Sequence, residues 1–147
     1  ELPPQRVPII QNKLINITNK HNKPVIVATQ MLESMIEHSR PTRAEVTDVA
    51  NACLSGADAV MLSGETAAGK YPIETLEMMD LILREAEAYQ YFTLGCKFKK
   101  VSDIKKDELE NAIASAAAQL SRDLMIRCVL VLTRTGFSAR IISSAES

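Results

Sequence analysis

Pro24-Val25-Ile26-Val27-Ala28-Thr29 and Ala57-Asp58-Ala59-Val60-Met61-Leu62-Ser63 decide how this chain folds. Each is a short, nearly all-apolar run, the first rich in β-branched side chains, and such runs suit strands covered on both faces in a parallel sheet. Helical periodicity surrounds them. Ahead of the first, from Pro3 to His21, Val7, Ile10, Leu14 and Ile17 fall at the spacing of an amphipathic helix whose start tolerates Pro3 and Pro4. Between the runs, a polar, Met-rich stretch from Gln30 to Ser39 leads to Thr42-Arg43-Ala44-Glu45. That tetrapeptide fits a capping box, in which hydroxyl and carboxylate each satisfy a free amide at a helix start. The helix it opens is expected to bury Val46, Val49, Ala50, Cys53 and Leu54 and to stop at Gly56. After the second run, Pro72 sits where a first helical turn tolerates it, and Ile73, Leu76, Met79, Leu83 and Ala86 mark an inner face. The order helix, strand, helix, strand, helix predicts right-handed βαβ units, hence an α/β fold with a parallel sheet.

Further along, residues 91–106 lack a sustained period and carry lysines at 97, 99, 100, 105 and 106. A linker is expected over 89–106, separating a first unit, 1–88, from a second, 107–147. The second opens with an Ala-rich helix, Glu108 to Leu124, facing inward through Leu109, Ile113, Ala116, Ala117 and Leu120. A strand from Arg127 to Leu132 and a Gly-containing loop into another helix follow. At 46% hydrophobic and 24% charged the composition is globular, and it excludes disorder for most of the chain. A net charge of -1 provides no basic footprint for nucleic acid. No apolar run approaches the roughly twenty residues of a membrane span. Cys53, Cys96 and Cys128 are far apart, form no C-x-x-C pair and have no His placed to complete a zinc site. They read as reduced thiols of a cytoplasmic protein. The chain opens on Glu1 and closes on Ser147, inside an expected helix, and is read as a fragment.

Both early strands end in a hydroxyl followed by polar groups, and parallel α/β folds build active sites at the carboxyl ends of their strands. Thr29, Ser63 and Glu65 are therefore the candidate catalytic residues. The alternative is that both hydroxyls satisfy turn backbones while Glu65 is solvated. Gly64-Glu65-Thr66-Ala67-Ala68-Gly69-Lys70 matches the G-x-x-x-x-G-K of a phosphate cradle, but Tyr71 stands where a Ser or Thr should hold magnesium, Pro72 offers no amide, and Glu65 brings negative charge into the cradle. The match reads as coincidence.

Lys23 to Met35, then Arg40-Pro41-Thr42-Arg43-Ala44-Glu45, then Asp48-Val49-Ala50-Asn51-Ala52, then Met61-Leu62-Ser63-Gly64-Glu65-Thr66-Ala67 together resemble pyruvate kinase. The resemblance is dense to about Ala88, weakens, and sharpens again at Thr133-Arg134-Thr135-Gly136-Phe137-Ser138-Ala139. It implies the last part of a (β/α)8 TIM barrel, strands seven and eight with their helices, followed by the start of a C-terminal α/β domain. It further implies phosphoryl transfer from phosphoenolpyruvate to ADP, giving pyruvate and ATP, with magnesium and potassium. The ligands of both metals and the catalytic lysine are expected upstream of Glu1, so none is assigned here and the chain alone is expected to be inactive. By the same resemblance Thr29 contacts substrate and positions or relays the proton that the enolpyruvate receives. A lone Thr hydroxyl is too poor an acid to do more. Ser63 and Glu65 belong to the adjoining polar network. Arg43 and Asp48 fall on a helix that meets its mate in another subunit of a homotetramer. Thr133, Arg134, Thr135, Gly136 and Ser138 resemble a loop that holds the phosphate of a sugar-phosphate effector, and hydroxyls with a glycine at a helix start make an anion site on their own account. Ser138 as a plain helix cap is the alternative there, and Phe137 replaces a polar residue frequent in the family. Two further readings remain: a non-catalytic regulatory or oligomerisation module on the same helices, and a stand-alone phosphate-binding protein using the Gly64 loop.

Overall fold

The computed structural model describes residues 3–21, 23–94, 108–126 and 128–145. They fall into two compact units, one drawn from Glu1–Thr18 and Pro24–Gly95, the other from Asn19–Lys23 and Cys96–Ser147.

In the first unit a short 3-10 turn, Pro4–Arg6, leads into α1 (Val7–Lys20), as the two early prolines require. Strand β1 (Ile26–Ala28) pairs in parallel with β2 (Ala59–Met61), in the register Ile26 with Ala59, Val27 with Val60, Ala28 with Met61. Asp58 locks the start of the ladder, since its carboxylate accepts the Val25 amide at 2.7 Å while its own amide donates to the Val25 carbonyl at 3.0 Å. Helix α2 (Arg43–Leu54) connects the strands, and the capping box is complete: the Thr42 hydroxyl accepts the Glu45 amide and Glu45 accepts the Thr42 amide. At its other end Gly56 has φ 89, the Gly56 amide reaches Cys53 O and the Ala57 amide reaches Ala52 O. That is the paired closure a left-handed residue after a helix provides, and glycine adopts it without a side-chain penalty. A single-turn helix α3 (Gly64–Ala67) follows β2, and α4 (Pro72–Tyr89) packs on α2 and α3 before a π-helical turn, Gln90–Leu94.

The core gathers Ile15, Val27, Met31, Leu32, Met35, Val49, Ala52, Met79 and Ile82. Much of it comes from the segment after β1, so the Met-rich stretch plugs the core as well as linking elements. The expected faces are partly displaced. On α1 it is Ile15 that is buried while Val7, Leu14 and Ile17 stay exposed, and on α4 Thr75, Met79, Ile82 and Ala86 are buried while Ile73 and Leu76 are exposed. The strands are likewise covered on one face: Val27 is buried, but Ile26 and Met61, neighbours of one another's layer on the opposite side, are exposed. Periodicity reports every apolar stripe a helix or strand carries, and this unit alone covers only some of them.

In the second unit α5 (Glu108–Asp123) packs against α6 (Phe137–Ala145) through Ala114, Ala118 and Ile141, which are buried. Leu109, Ile113 and Leu120, expected inward, are exposed. Residues 128–132, expected as part of a strand, have no ladder partner among the described residues, and Arg127 lies outside them. A strand needs a neighbour to satisfy its amides, and none is supplied there. No helix among the described residues is long and apolar enough to cross a membrane.

Candidate active site at the strand ends

Thr29 follows the last residue of β1 and Ser63 stands two residues beyond β2, so the parallel register sets both at the same end of the sheet. Thr29 and Gln30 have φ of 73 and 55, the left-handed region that non-glycine residues seldom occupy. Each such residue stores about 1–3 kcal/mol of strain, which persists only where the surroundings over-determine it. The over-determination is visible downstream of Thr29. Glu65 accepts the Leu32 amide at 3.4 Å and the Ser63 amide at 2.7 Å, and Glu45 accepts the Ser34 amide at 2.7 Å and the Ser34 hydroxyl at 2.5 Å. The Lys70 amide donates to the Ile36 carbonyl at 2.8 Å, and the Lys70 ammonium pairs with Glu37.

Glu65 is thus neither solvated nor free in the cleft: it is 2% exposed, with both oxygens turned to backbone amides. Thr29 and Ser63 are exposed. A cleft of about 410 Å³ opens beside Thr29, lined also by Gln11, Gln30, Asp48 and Asn51. Asp48, expected at a subunit interface, therefore shares a cleft with Thr29, a proximity that spacing along the sequence does not reveal because it depends on how α1 lies against α2. Arg43 is exposed at the first turn of α2.

The phosphate-cradle lookalike is used differently. A Cβ on Gly69 would meet the Glu65 carbonyl oxygen at 2.3 Å and the Ile36 Cα at 3.3 Å, so glycine here permits a close backbone approach within the protein. The hydrogen bond to Glu37, and then that carboxylate's charge, push the Lys70 ammonium above its ordinary range. The Lys70 ammonium is thus engaged by Glu37 in an exposed ion pair.

The family model described as pyruvate kinase, barrel domain, matches residues 1–76. The chain belongs to the pyruvate kinase family. It is 46% identical over 147 residues to a pyruvate kinase of Dictyostelium discoideum, covering 97% of this chain and 29% of that one. A pyruvate kinase of Staphylococcus aureus (strain USA300) is 47% identical over 146 residues, covering 97% of this chain and 24% of its own. The crystal structure of a pyruvate kinase from Cryptosporidium parvum superposes with a TM-score of 0.84 at 41% identity, over 99% of this chain and 30% of that one. The chain therefore spans 24–30% of the length of these relatives. Its first unit is part of a TIM barrel and an α/β region follows. In such a barrel each strand has one face toward the helices and one toward an interior filled by the other strands. Val27 meets the helix layer, and Ile26 and Met61 lie on the other face.

The loop in the second unit that resembles the family's effector site is organised by its own hydroxyls. Thr133 Oγ1 accepts the Gly136 amide at 3.0 Å and Thr135 Oγ1 accepts the Phe137 amide at 3.4 Å. Ser138 is the second residue of α6 and so does not cap it. Arg134 is exposed, and the Arg140 guanidinium, which the sequence reading passed over, lies 5.7 Å from the centre of the Phe137 ring. An Arg and an aromatic three apart on a helix are the signal for that contact.

Proposed function

We propose that this chain provides a sector of the active-site rim of a pyruvate kinase, which transfers the phosphoryl group of phosphoenolpyruvate to ADP and then protonates the enolpyruvate. The observation that carries the reading is Thr29, held in a left-handed backbone at the carboxyl end of β1 beside the end of a parallel strand, on a chain whose residues 1–76 match the barrel domain. The Thr29 hydroxyl, exposed and next to a cleft, orients substrate beside the carbon to be protonated and passes a proton on, with Ser63 in the adjoining polar network. Magnesium and potassium belong to the family's chemistry, but the described residues contain no group of three His, Cys, Asp or Glu that could hold a metal ion. No residue of this chain is assigned to either ion, and no step is routed through them.

Around this centre we assign Arg43 and Asp48 to a contact between copies in a homotetramer, since both lie exposed on α2. The Thr133 to Ser138 loop, with Arg134, is assigned to the phosphate of a sugar-phosphate effector, by virtue of its hydroxyls and the helix start behind it. The protein is placed with the glycolytic enzymes of the cytoplasm.

The test is a chimera in which this chain replaces the matching segment of the Dictyostelium discoideum relative. Pyruvate formation is expected, and Thr29→Ala should lower kcat by roughly a hundredfold, at the lower end of what a positioned proton-transfer group contributes, with a smaller effect on the KM for phosphoenolpyruvate. A raised KM with unchanged kcat would make Thr29 a binding residue only. A chimera that assembles without turnover would favour the non-catalytic module.

A further inference from the structure

We infer that Glu65 is a positioning residue whose buried carboxylate holds the Thr29 segment in its catalytic geometry, and that the Gly64–Lys70 stretch is a clasp for that segment. The inference rests on the phosphoryl-transfer reading for its consequence, and on hydrogen bonding and burial for its geometry. Glu65 is 2% exposed, so it does not present a carboxyl to the cleft. Its two oxygens divide between two segments: Oε1 takes the Leu32 amide at 3.4 Å, three residues beyond Thr29, and Oε2 takes the Ser63 amide at 2.7 Å, at the end of the neighbouring strand. One side chain thereby joins the two strand-end segments that carry the candidate hydroxyls.

The rest of the stretch reinforces the same junction. A Cβ on Gly64 would stand 3.3 Å from Ile36 Cδ1 and one on Gly69 3.3 Å from Ile36 Cα, so both glycines lie close against Ile36, and the Lys70 amide donates to the Ile36 carbonyl. Thr29 and Gln30, upstream, adopt backbone angles that an untethered segment would relax away from. Carboxylate acceptors for backbone amides are strong because the acceptor is charged, and burial keeps water from competing. Replacing Glu65 by Gln sets an amide NH2 or a weaker carbonyl against one of those two N–H groups, so one of them loses its partner. The Thr29 hydroxyl is then no longer fixed although its chemistry is untouched.

In the chimera, Glu65→Gln is expected to lower kcat at least tenfold while the KM for phosphoenolpyruvate changes less than threefold and the pH profile of kcat keeps its shape. In a Thr29→Ala background the same substitution should cost less than twofold, because it acts through a hydroxyl already gone. Additive losses in the double variant would overturn the inference, and so would a pH profile that loses a limb, which would make Glu65 itself the proton donor or acceptor. Where Glu65→Gln does not fold, amide hydrogen exchange in the unsubstituted chimera decides: Leu32 and Ser63 are expected to exchange slowly, and fast exchange at both refutes the clasp. An unsubstituted chimera without turnover would strike at the functional reading instead, and the exchange measurement would still judge Glu65.

Discussion

Glu45 is held by more donors than a helix cap requires. Burial is the largest single influence on its carboxyl and acts to raise its pKa. The Ser34 hydroxyl and amide and the Thr42 amide and hydroxyl together outweigh burial and bring it below its ordinary value of 4.5. A carboxyl depressed in the folded state contributes stability that is fully present above its unfolded pKa and is lost as pH falls through the lower, folded value. Glu45→Gln in the chimera should therefore flatten the acid side of a plot of melting temperature against pH below about 4.5, and an unchanged acid limb would contradict this. Gly69 makes a second residue-scale case. Any Cβ there must displace the Glu65 backbone, so Gly69→Ala should cost about 1–3 kcal/mol, as overpacking does, read as a lower midpoint in urea. The capping box at Thr42 and Glu45 was legible because both partners lie within one turn. Ser34 as an added donor was not, since it approaches Glu45 from 11 residues away. The position of Glu65 just beyond β2 was legible, but its burial was hidden: a carboxylate among Gly, Ser and Thr reads as solvated until the two segments around it are seen to converge.

Among the elements, the ends of α2 and α5 make an instructive pair. Both close with the same two backbone bonds, since beyond α5 the Met125 amide reaches Arg122 O and the Ile126 amide reaches Ser121 O. The left-handed position is Gly56 after α2 but Met125, φ 50, after α5. An L side chain in that conformation costs about 1–2 kcal/mol. Met125→Gly should recover roughly 1 kcal/mol of it, measured as a rise in the chimera's melting temperature, and a fall would mean that the exposed Met125 side chain has a partner elsewhere. Sequence marked the first of these ends through its glycine and could not mark the second, because methionine carries no turn signal. Helix faces show the same boundary of inference. The longer helices were identified correctly, whereas the one-turn α3 was read as a loop, and on α5 the small Ala114 and Ala118 are buried while the larger Leu109, Ile113 and Leu120 are exposed. Period gives the stripes, whereas the choice among stripes depends on which neighbour approaches.

For the whole molecule, the exposed side of the two-stranded sheet and the uncovered stripes of α1, α4 and α5 set the expectation for the chain on its own. Ile26, Met61, Leu14, Leu76 and Leu109 offer apolar surface, and β1 and β2 each have a free edge among the described residues. Exposed edges beside apolar faces pair with other chains. Sedimentation velocity of the isolated chain at micromolar concentration should show association rather than a 16.2 kDa monomer, and a single sharp monomer boundary would oppose it. The barrel relationship was legible in four short strings, since strand-end sequences are shaped by both packing and site geometry. The cleft shared by Thr29 and Asp48 was not, because it exists only once α1 and α2 have docked. The parallel ladder also orders events in time. Val25 and Asp58 meet across 33 residues, and closing so long a loop precedes any reward from the contacts it permits. Helix α2, capped at both ends by its own neighbours, forms from local contacts and takes up much of that separation as a rigid rod. What is left for a slower search is the Thr29 to Pro41 segment, so the part of the chain assigned to chemistry is expected to be among the last to settle.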